Sequence, residues 1–234
     1  MSNEMLNQFF NKGYLTQKLP ANWIAALDRI LKTDGCEWHT CLPNVDEQVF
    51  RVPMWSYPDQ SLIDEGSSDN FAQLQQKESD LANNCATRRP VIYDRFFERL
   101  LRQDGFFQEL GRLFRLKIQT IQLWDGVGAP YWHWDGPGNG DLYLLLYLTD
   151  HNNWPESYGG SLKLGVRDLT HGWLARVPEE SVTLIDEIPP SRGTMVISDN
   201  RNPRIVHCPV RLSDQAIKEG VRRLTFLVTF KVEL

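Results

Sequence analysis

The triplet His133-Trp134-Asp135 and a lone histidine far downstream, His207 in Arg204-Ile205-Val206-His207, constrain the fold of this chain more than any other feature. On an extended strand residues i and i+2 point to one side. His133 and Asp135 are therefore placed to grip one ion, with Trp132 and Trp134 facing the other way. A third ligand at His207 requires a second, remote strand beside the first. Two imidazoles and one carboxylate form the facial donor set that holds a non-haem Fe(II) and leaves positions open for chemistry. The bare triplet also fits an ordinary surface strand with a stray His and Asp, so the surrounding sequence has to decide.

That sequence reads as helical in its first half and β-rich in its second. Ala21 to Leu31 places Trp23, Ile24, Leu27, Ile30 and Leu31 at helical spacing, with Gly35 as a stop. Ser67 to Ala86 is a second expected helix. Tyr93 to Leu101 is a third, leading through Gln103-Asp104-Gly105 into Phe106 to Phe114. Residues 36 to 66, with Pro43, Pro53 and Pro58 among Trp38, Trp55 and Tyr57, read as an irregular strand region or a mobile loop. From Lys117 on, short β-rich runs alternate with turn residues: Lys117–Trp124, Tyr131–Asp135, Leu142–Thr149, Gly160–Leu164, Val182–Ile185, Thr194–Ser198, Arg204–His207 and Arg222–Lys231. Eight short strands after a helical block predict an α+β chain that is mainly β: a jelly-roll barrel, or double-stranded β-helix, with helices packed on one sheet. A length of 234 residues, with no repeat or convincing linker, predicts one domain, residues 1–115 supporting a core of 116–234.

Composition narrows the function. A net charge of −5 argues against a nucleic-acid partner. No apolar run approaches the ~18 residues of a membrane span, and the polar start Met-Ser-Asn-Glu lacks a signal-peptide core. A cytoplasmic protein without a membrane partner is the expectation. The cysteines Cys36, Cys41, Cys85 and Cys208 form no CxxC and no evident disulfide framework. Cys36-Glu-Trp-His39-Thr-Cys41 matches no common zinc spacing and is read as packing or loop. His151 and His171 lie in polar, turn-like segments and are read as solvated.

Several ordered motifs sit around the triplet: His133-Trp-Asp135-Gly-Pro137-Gly-Asn-Gly140-Asp141, then Tyr147-Leu148, Trp154 and Gly159-Gly160-Ser-Leu162, and Ser198-Asp199-Asn200-Arg201-Asn202-Pro203 ahead of His207. Over residues 117 to 232 this pattern resembles the Fe(II)/2-oxoglutarate-dependent dioxygenases, most of all their prolyl-hydroxylase branch with its oxygen-sensing members. The resemblance implies a double-stranded β-helix in which His133, Asp135 and His207 bind Fe(II). It further implies 2-oxoglutarate as co-substrate, O2 as oxidant and ascorbate as a reductant. Oxidative decarboxylation of the 2-oxo acid to succinate and CO2 is then coupled to oxidation of an unactivated C–H bond. Asp135 favours hydroxylation over halogenation, because related halogenases have a small residue there. Two departures from the branch stand beside the last ligand: Arg204-Ile-Val206 separates Pro203 from His207, and Pro209 follows it closely.

The family also implies a basic residue, on the strand after the last histidine, for the far carboxylate of 2-oxoglutarate. An arginine fits because its planar fork matches a carboxylate with two parallel hydrogen bonds. Arg222 and Arg223 are the candidates. Arg223 is preferred, since it shares its side with Thr225 in an Arg-x-Thr pattern, whereas Arg222 shares its side with Leu224, Phe226, Val228 and Phe230. Tyr147 stands where related enzymes carry a tyrosine for the same carboxylate, and reads equally as a plain core aromatic. Trp124 falls near another family tyrosine position and is expected to pack as a wall. Tyr131 is a candidate contact for substrate or co-substrate, or loop packing. The leading expectation is a hydroxylase of an amino-acid-type small molecule, free, in a peptide or carrier-bound, with residues 38 to 57 and His39 closing over it. A protein prolyl (or other side-chain) hydroxylase and a non-catalytic jelly-roll binding module are the alternatives.

Overall fold

Four amphipathic helices cover one face of a broad antiparallel sheet, and a smaller sheet stands opposite its other face. The computed structural model describes residues 2–35, 37–41, 48, 50–53, 55, 89–127, 130–169 and 176–233. The helices are α1 (Ser2–Lys12), α2 (Ala21–Asp34), α3 (Val91–Gln103) and α4 (Gly105–Leu113), with a short α5 (Asp214–Lys218) near the end. The strands are β1 (Tyr14–Lys18), β2 (Trp38–Cys41), β3 (Phe50–Pro53), β4 (Arg115–Asp125), β5 (Leu142–Tyr147), β6 (Leu162–Arg167), β7 (Val182–Ile188), β8 (Thr194–Asp199), β9 (Ile205–Pro209) and β10 (Leu224–Glu233). The large sheet runs β1-β8-β5-β10-β4-β3-β2 and the small one β7-β6-β9. This is the expected jelly-roll arrangement with helices on one sheet.

Local chemistry sets the helix ends. Asp104 closes α3 and opens α4: its carboxylate accepts from the backbone N–H groups of Phe106 and Phe107, satisfying donors that the first helical turn leaves without partners. Gly35 terminates α2 in the left-handed region, φ 54°. The helices then bury Phe9, Leu27, Tyr93, Phe96, Phe97, Phe106 and Phe107 against one row set of the large sheet, Leu144 and Leu146 of β5 and Phe226, Val228 and Phe230 of β10. Alternation does the rest. The partners of those residues in the pleat, Thr225, Leu227 and Thr229, face the small sheet.

The structure also departs from the sequence reading. Tyr131–Asp135 is not a regular strand. Between Pro130 and the Gly136-Pro137 turn it makes only a local bridge at His133, to His207 on one side and Arg176 on the other. One strand, β1, has no counterpart in the sequence reading, while β2 and β3 fall in the stretch 36 to 66, for which an irregular strand region was one of the two expectations. β1 is short and polar (Tyr-Leu-Thr-Gln-Lys), and β2 and β3 form a hairpin that joins the large sheet through Arg51 opposite Asp125. The helix α1 was missed because its apolar residues are few: of Met5, Leu6, Phe9 and Phe10 only Leu6 and Phe9 are buried, and the rest of the segment is polar. The expected helix Ser67 to Ala86 lies outside the described residues, as do Cys36, Cys85 and His171.

Phe226 is the centre of the helix-facing core, fully buried with Tyr93 and Phe97 rings each 5.5 Å from its own. Phe226→Ala is expected to lower unfolding stability by about 3–5 kcal/mol, measured by urea denaturation. A loss below about 1 kcal/mol would contradict this packing.

Candidate metal centre and adjoining cavity

His133 and His207 are directly opposed in an antiparallel pair. The His133 N–H donates to the His207 carbonyl at 2.9 Å and the His207 N–H returns the bond to the His133 carbonyl at 3.0 Å. Residues opposed in this way present their side chains on the same face, and the two imidazole centroids lie 4.2 Å apart. Asp135 completes the group. Its Oδ1 is 3.8 Å from His133 Nε2 and its Oδ2 is 3.6 Å from His207 Nε2. All three donor atoms lie within 4.8 Å of one another, and among the described residues this is the one such cluster of His, Cys, Asp or Glu.

The chain prepares these donors for a cation. His133 Nδ1 lies 2.8 Å from the Tyr131 carbonyl, so that nitrogen carries the proton and Nε2 keeps its lone pair. Burial, with the neighbouring His133, lowers the pKa of His207 to about 3, and Asp135 offsets this only in part. His207 is therefore a neutral imidazole at ordinary pH, the form that ligates. The turn after Asp135 needs glycine: Gly136 has φ 72°, and a side chain at Gly140 (φ 108°) would place its Cβ 2.7 Å from Thr229 Cβ. Asn139 Nδ2 donates to the Asp135 carbonyl at 3.2 Å and ties the turn back to the ligand. Trp132 and Trp134 face away, as the alternation predicts. Trp132 packs with Val177 and Val206 behind the small sheet, and Trp134 Nε1 donates to the Asn200 carbonyl.

The triad opens on a cavity of about 320 Å³ between the sheets. Register explains its lining: Trp124 opposes Thr225, Gln122 opposes Leu227 and Thr120 opposes Thr229. Across β10, Leu227 opposes Leu145 and Thr229 opposes Tyr143. These inward residues form polar ends with an apolar waist at Leu227, Leu145 and Leu162. At one end the Thr120 and Thr229 hydroxyls are 2.7 Å apart, and the Tyr143 hydroxyl is 3.5 Å from His207 Nδ1. Burial, with a smaller contribution from Asp135, raises the Tyr143 pKa, so this phenol stays protonated.

Arg223 occupies the other end and is only 5 % exposed. Its Nε donates to the Gly160 carbonyl at 2.6 Å. Nη1 donates to the Gly126 carbonyl and to Thr225 Oγ1, and Nη2 to the Tyr147 hydroxyl at 3.3 Å. Every one of these acceptors is neutral, and among the described residues no carboxylate pairs with Arg223. Burial lowers its pKa, with Tyr147 opposing that, and a guanidinium stays charged at ordinary pH. Among the described residues this is a buried, hydrogen-bonded cation without a counter-charge, an arrangement that an anion would stabilise.

The remaining candidates separate cleanly. Arg222 does not share the buried face expected for it. Half-exposed, it pairs with Asp125 at 2.9 Å and lies over the Trp38 ring, because the segment before β10 is not yet in the strand's pleat. Tyr147 is fully buried in a small core with Leu162, Leu164 and Val196, while its hydroxyl reaches Arg223. Trp124 is a wall, stacked on Phe50 with its indole N–H on Gln122. The Tyr131 ring lies beside His133, outside the main cavity, and its backbone carbonyl is what touches the triad. His151 packs against Trp154 and Tyr158, away from the cavity. The sequence reading missed Thr120, Gln122, Asn139, Tyr143, Leu227 and Thr229. The signal for Leu227 and Thr229 was the inward phase that Thr225 already set.

No known family profile and no curated protein matches the sequence. Among solved structures, the chain is similar to an oxidoreductase of the 2OG-Fe(II) oxygenase family from Burkholderia pseudomallei, at 12% identity over 98% of this chain and 90% of that one, TM-score 0.48. It is also similar to a prolyl-4-hydroxylase from Pseudomonas putida (14% identity, 98% of both chains, TM-score 0.45). A third is a prolyl hydroxylase from Trichoplax adhaerens in complex with a hypoxia inducible factor oxygen degradation domain peptide fragment (16% identity, 98% of this chain and 88% of that one, TM-score 0.45).

Removing one donor should abolish tight metal binding. Asp135→Ala is expected to weaken Co(II) binding at least about 100-fold, beyond the loss typical of a residue that only supports a ligand. Isothermal titration of the metal-free protein reads this directly; unchanged affinity would place the metal elsewhere.

Proposed function

We propose that this chain is an Fe(II)/2-oxoglutarate-dependent dioxygenase that hydroxylates an unactivated C–H bond of an amino-acid-type substrate. The observation that carries this reading is the pairing, in one cavity, of a His-Asp-His donor triad with a buried guanidinium that has no counter-anion among the described residues. Two imidazoles and one carboxylate suit Fe(II) and leave coordination positions for other molecules. Fe(II) with chelated 2-oxoglutarate supplies the oxidation itself, O2 being consumed and succinate and CO2 released.

The protein's own contribution is to bind, orient and exclude. Arg223 would meet the distal carboxylate of the co-substrate and so offset its buried charge. Tyr147 already accepts a hydrogen bond from Arg223, which leaves its own O–H to donate to the same carboxylate. Thr225, beside them, offers a further hydroxyl. The apolar waist at Leu145 and Leu227 would hold the carbon chain between the two polar ends and keep water from it. A cavity of about 320 Å³ lies at the small end of the range for ligand pockets, which supports a compact substrate or a single side chain presented to the metal. Asp135, in the place of a removable ligand, supports hydroxylation. Its carboxylate would serve as a ligand at the position where the related halogenases have a small residue.

Anaerobic titration with Fe(II) and 2-oxoglutarate tests this through the visible charge-transfer band of the chelate. The wild type is expected to give the band. Arg223→Ala should need about 10–100-fold more 2-oxoglutarate, the worth of a charge-assisted pair. Arg222→Ala should change the requirement less than about twofold, because Arg222 faces Asp125. Bound iron without a band would overturn the reading.

A further inference from the structure

The backbone pair with His133 decides which face His207 presents, but it does not decide how the imidazole is turned about its own bond. That torsion is broad and roughly two-fold, and a turned ring would aim Nδ1 at the ion and Nε2 away from it. A ligating histidine is therefore held by a partner at its second nitrogen. For His133 the partner is the Tyr131 main-chain carbonyl, which can only accept. For His207 it is the Tyr143 hydroxyl, 3.5 Å from Nδ1 and, among the described residues, the one hydrogen-bond partner of that nitrogen.

Tyr143 is itself held from both sides. It stands on β5 opposite Thr229 of β10 and Ser198 of β8. Its side chain is buried, and its ring centroid lies 5.3 Å from that of His207 at an angle of 58°. The contact crosses from the large sheet to the small one, between residues 64 positions apart. Two restraints thus act on one imidazole from opposite sides: Nδ1 faces the phenol, and Nε2 lies 3.6 Å from Asp135 Oδ2. With Nε2 as the ligating atom, Nδ1 carries the proton and the phenol oxygen accepts it in a hydrogen bond. The phenol's own hydrogen then turns to another acceptor, and Ser198, beside it across β5 and β8, supplies a hydroxyl oxygen. Ser198 in turn donates to the Gly13 carbonyl at 3.4 Å.

We propose that Tyr143 is a positioning residue for His207: its hydroxyl accepts from the Nδ1–H and keeps Nε2 directed at the ion shared with His133 and Asp135. The proposal rests on the metal-binding part of the reading above, and on neither 2-oxoglutarate nor a substrate. The two histidines are then oriented by different means, one by a main-chain carbonyl two residues away and the other by a phenol from the opposite sheet.

The test uses the full chain and Zn(II), which is diamagnetic and requires no turnover. Isothermal titration gives the affinity, and NMR follows the Nδ1–H resonances of His133 and His207 in the Zn(II)-loaded protein, assigned through their ring couplings. Tyr143→Phe keeps the ring and loses only the hydroxyl. It is expected to weaken Zn(II) binding at least about 10-fold, the cost typical of losing a partner that orients a ligand. The His207 Nδ1–H should move upfield and exchange faster with solvent, while that of His133, held by Tyr131, stays in place. A merely structural role for Tyr143 would displace both signals together, and that result overturns the proposal, as does an affinity within about twofold of the wild type. The wild type alone supplies a second check: a His207 Nδ1–H that exchanges as fast as free imidazole also overturns it. Wild-type protein that takes no Zn(II) at the triad removes the metal reading and the proposal with it. An unaffected Tyr143→Phe, in a wild type that does bind, removes the proposal alone.

Discussion

Two backbone hydrogen bonds, exchanged between His133 and His207, are what the rest of the site depends on. They set the register of a short irregular segment against β9 and so put both imidazoles on one face, at the distance one ion spans. A slip of one residue would send one imidazole to the back of the small sheet. The tryptophans guard against that slip: Trp132 is buried behind the small sheet and Trp134 is tied to Asn200. Asp135 follows from the same register, and the Gly136–Gly140 turn then carries the chain down into β5 without displacing it.

The large sheet solves a different problem, that of two unlike faces. Its outer face is apolar and takes the helices; its inner face carries hydroxyls, an amide and a buried guanidinium. Strand alternation in β10 divides these roles between Phe226, Val228 and Phe230 on one side and Thr225, Leu227 and Thr229 on the other. Aromatic contacts under the helices back the outer face of the sheet. Among the described residues no counter-charge meets Arg223, and neutral acceptors hold it in place. A buried cation costs several kcal/mol even when hydrogen-bonded, and the neutral carbonyls of Gly126 and Gly160 offset only part of that. The arrangement is coherent if a dicarboxylate is a regular occupant. It explains, too, why Arg222, adjacent in sequence, is neutralised by Asp125 while Arg223 is not.

Much of this was legible in the residues. The His-x-Asp spacing and the distant His name the donor set, and the Arg-x-Thr phase separates Arg223 from Arg222. Turn residues marked most strand ends in the second half. What was not legible has physical causes. The segment around His133 is strand-like in composition, yet its neighbours Pro130 and Gly136 confine pairing to one residue. β1 is a polar edge strand whose stability comes from β8 rather than from its own sequence. Tyr143 read as part of an apolar strand, and only the row Thr120, Thr229, Tyr143 reveals a polar floor beneath His207.

The most direct test of the central claim compares two 2-oxo acids that differ only at the far end of the molecule. Anaerobic Fe(II)-loaded protein is titrated with 2-oxoglutarate and with 2-oxobutyrate, which keeps the chelating end and lacks the distal carboxylate. If Arg223 awaits that carboxylate, the charge-transfer band will form with 2-oxoglutarate at a concentration at least tenfold lower. In Arg223→Ala the difference will largely vanish. Equal affinity for the two acids in the wild type would contradict the account.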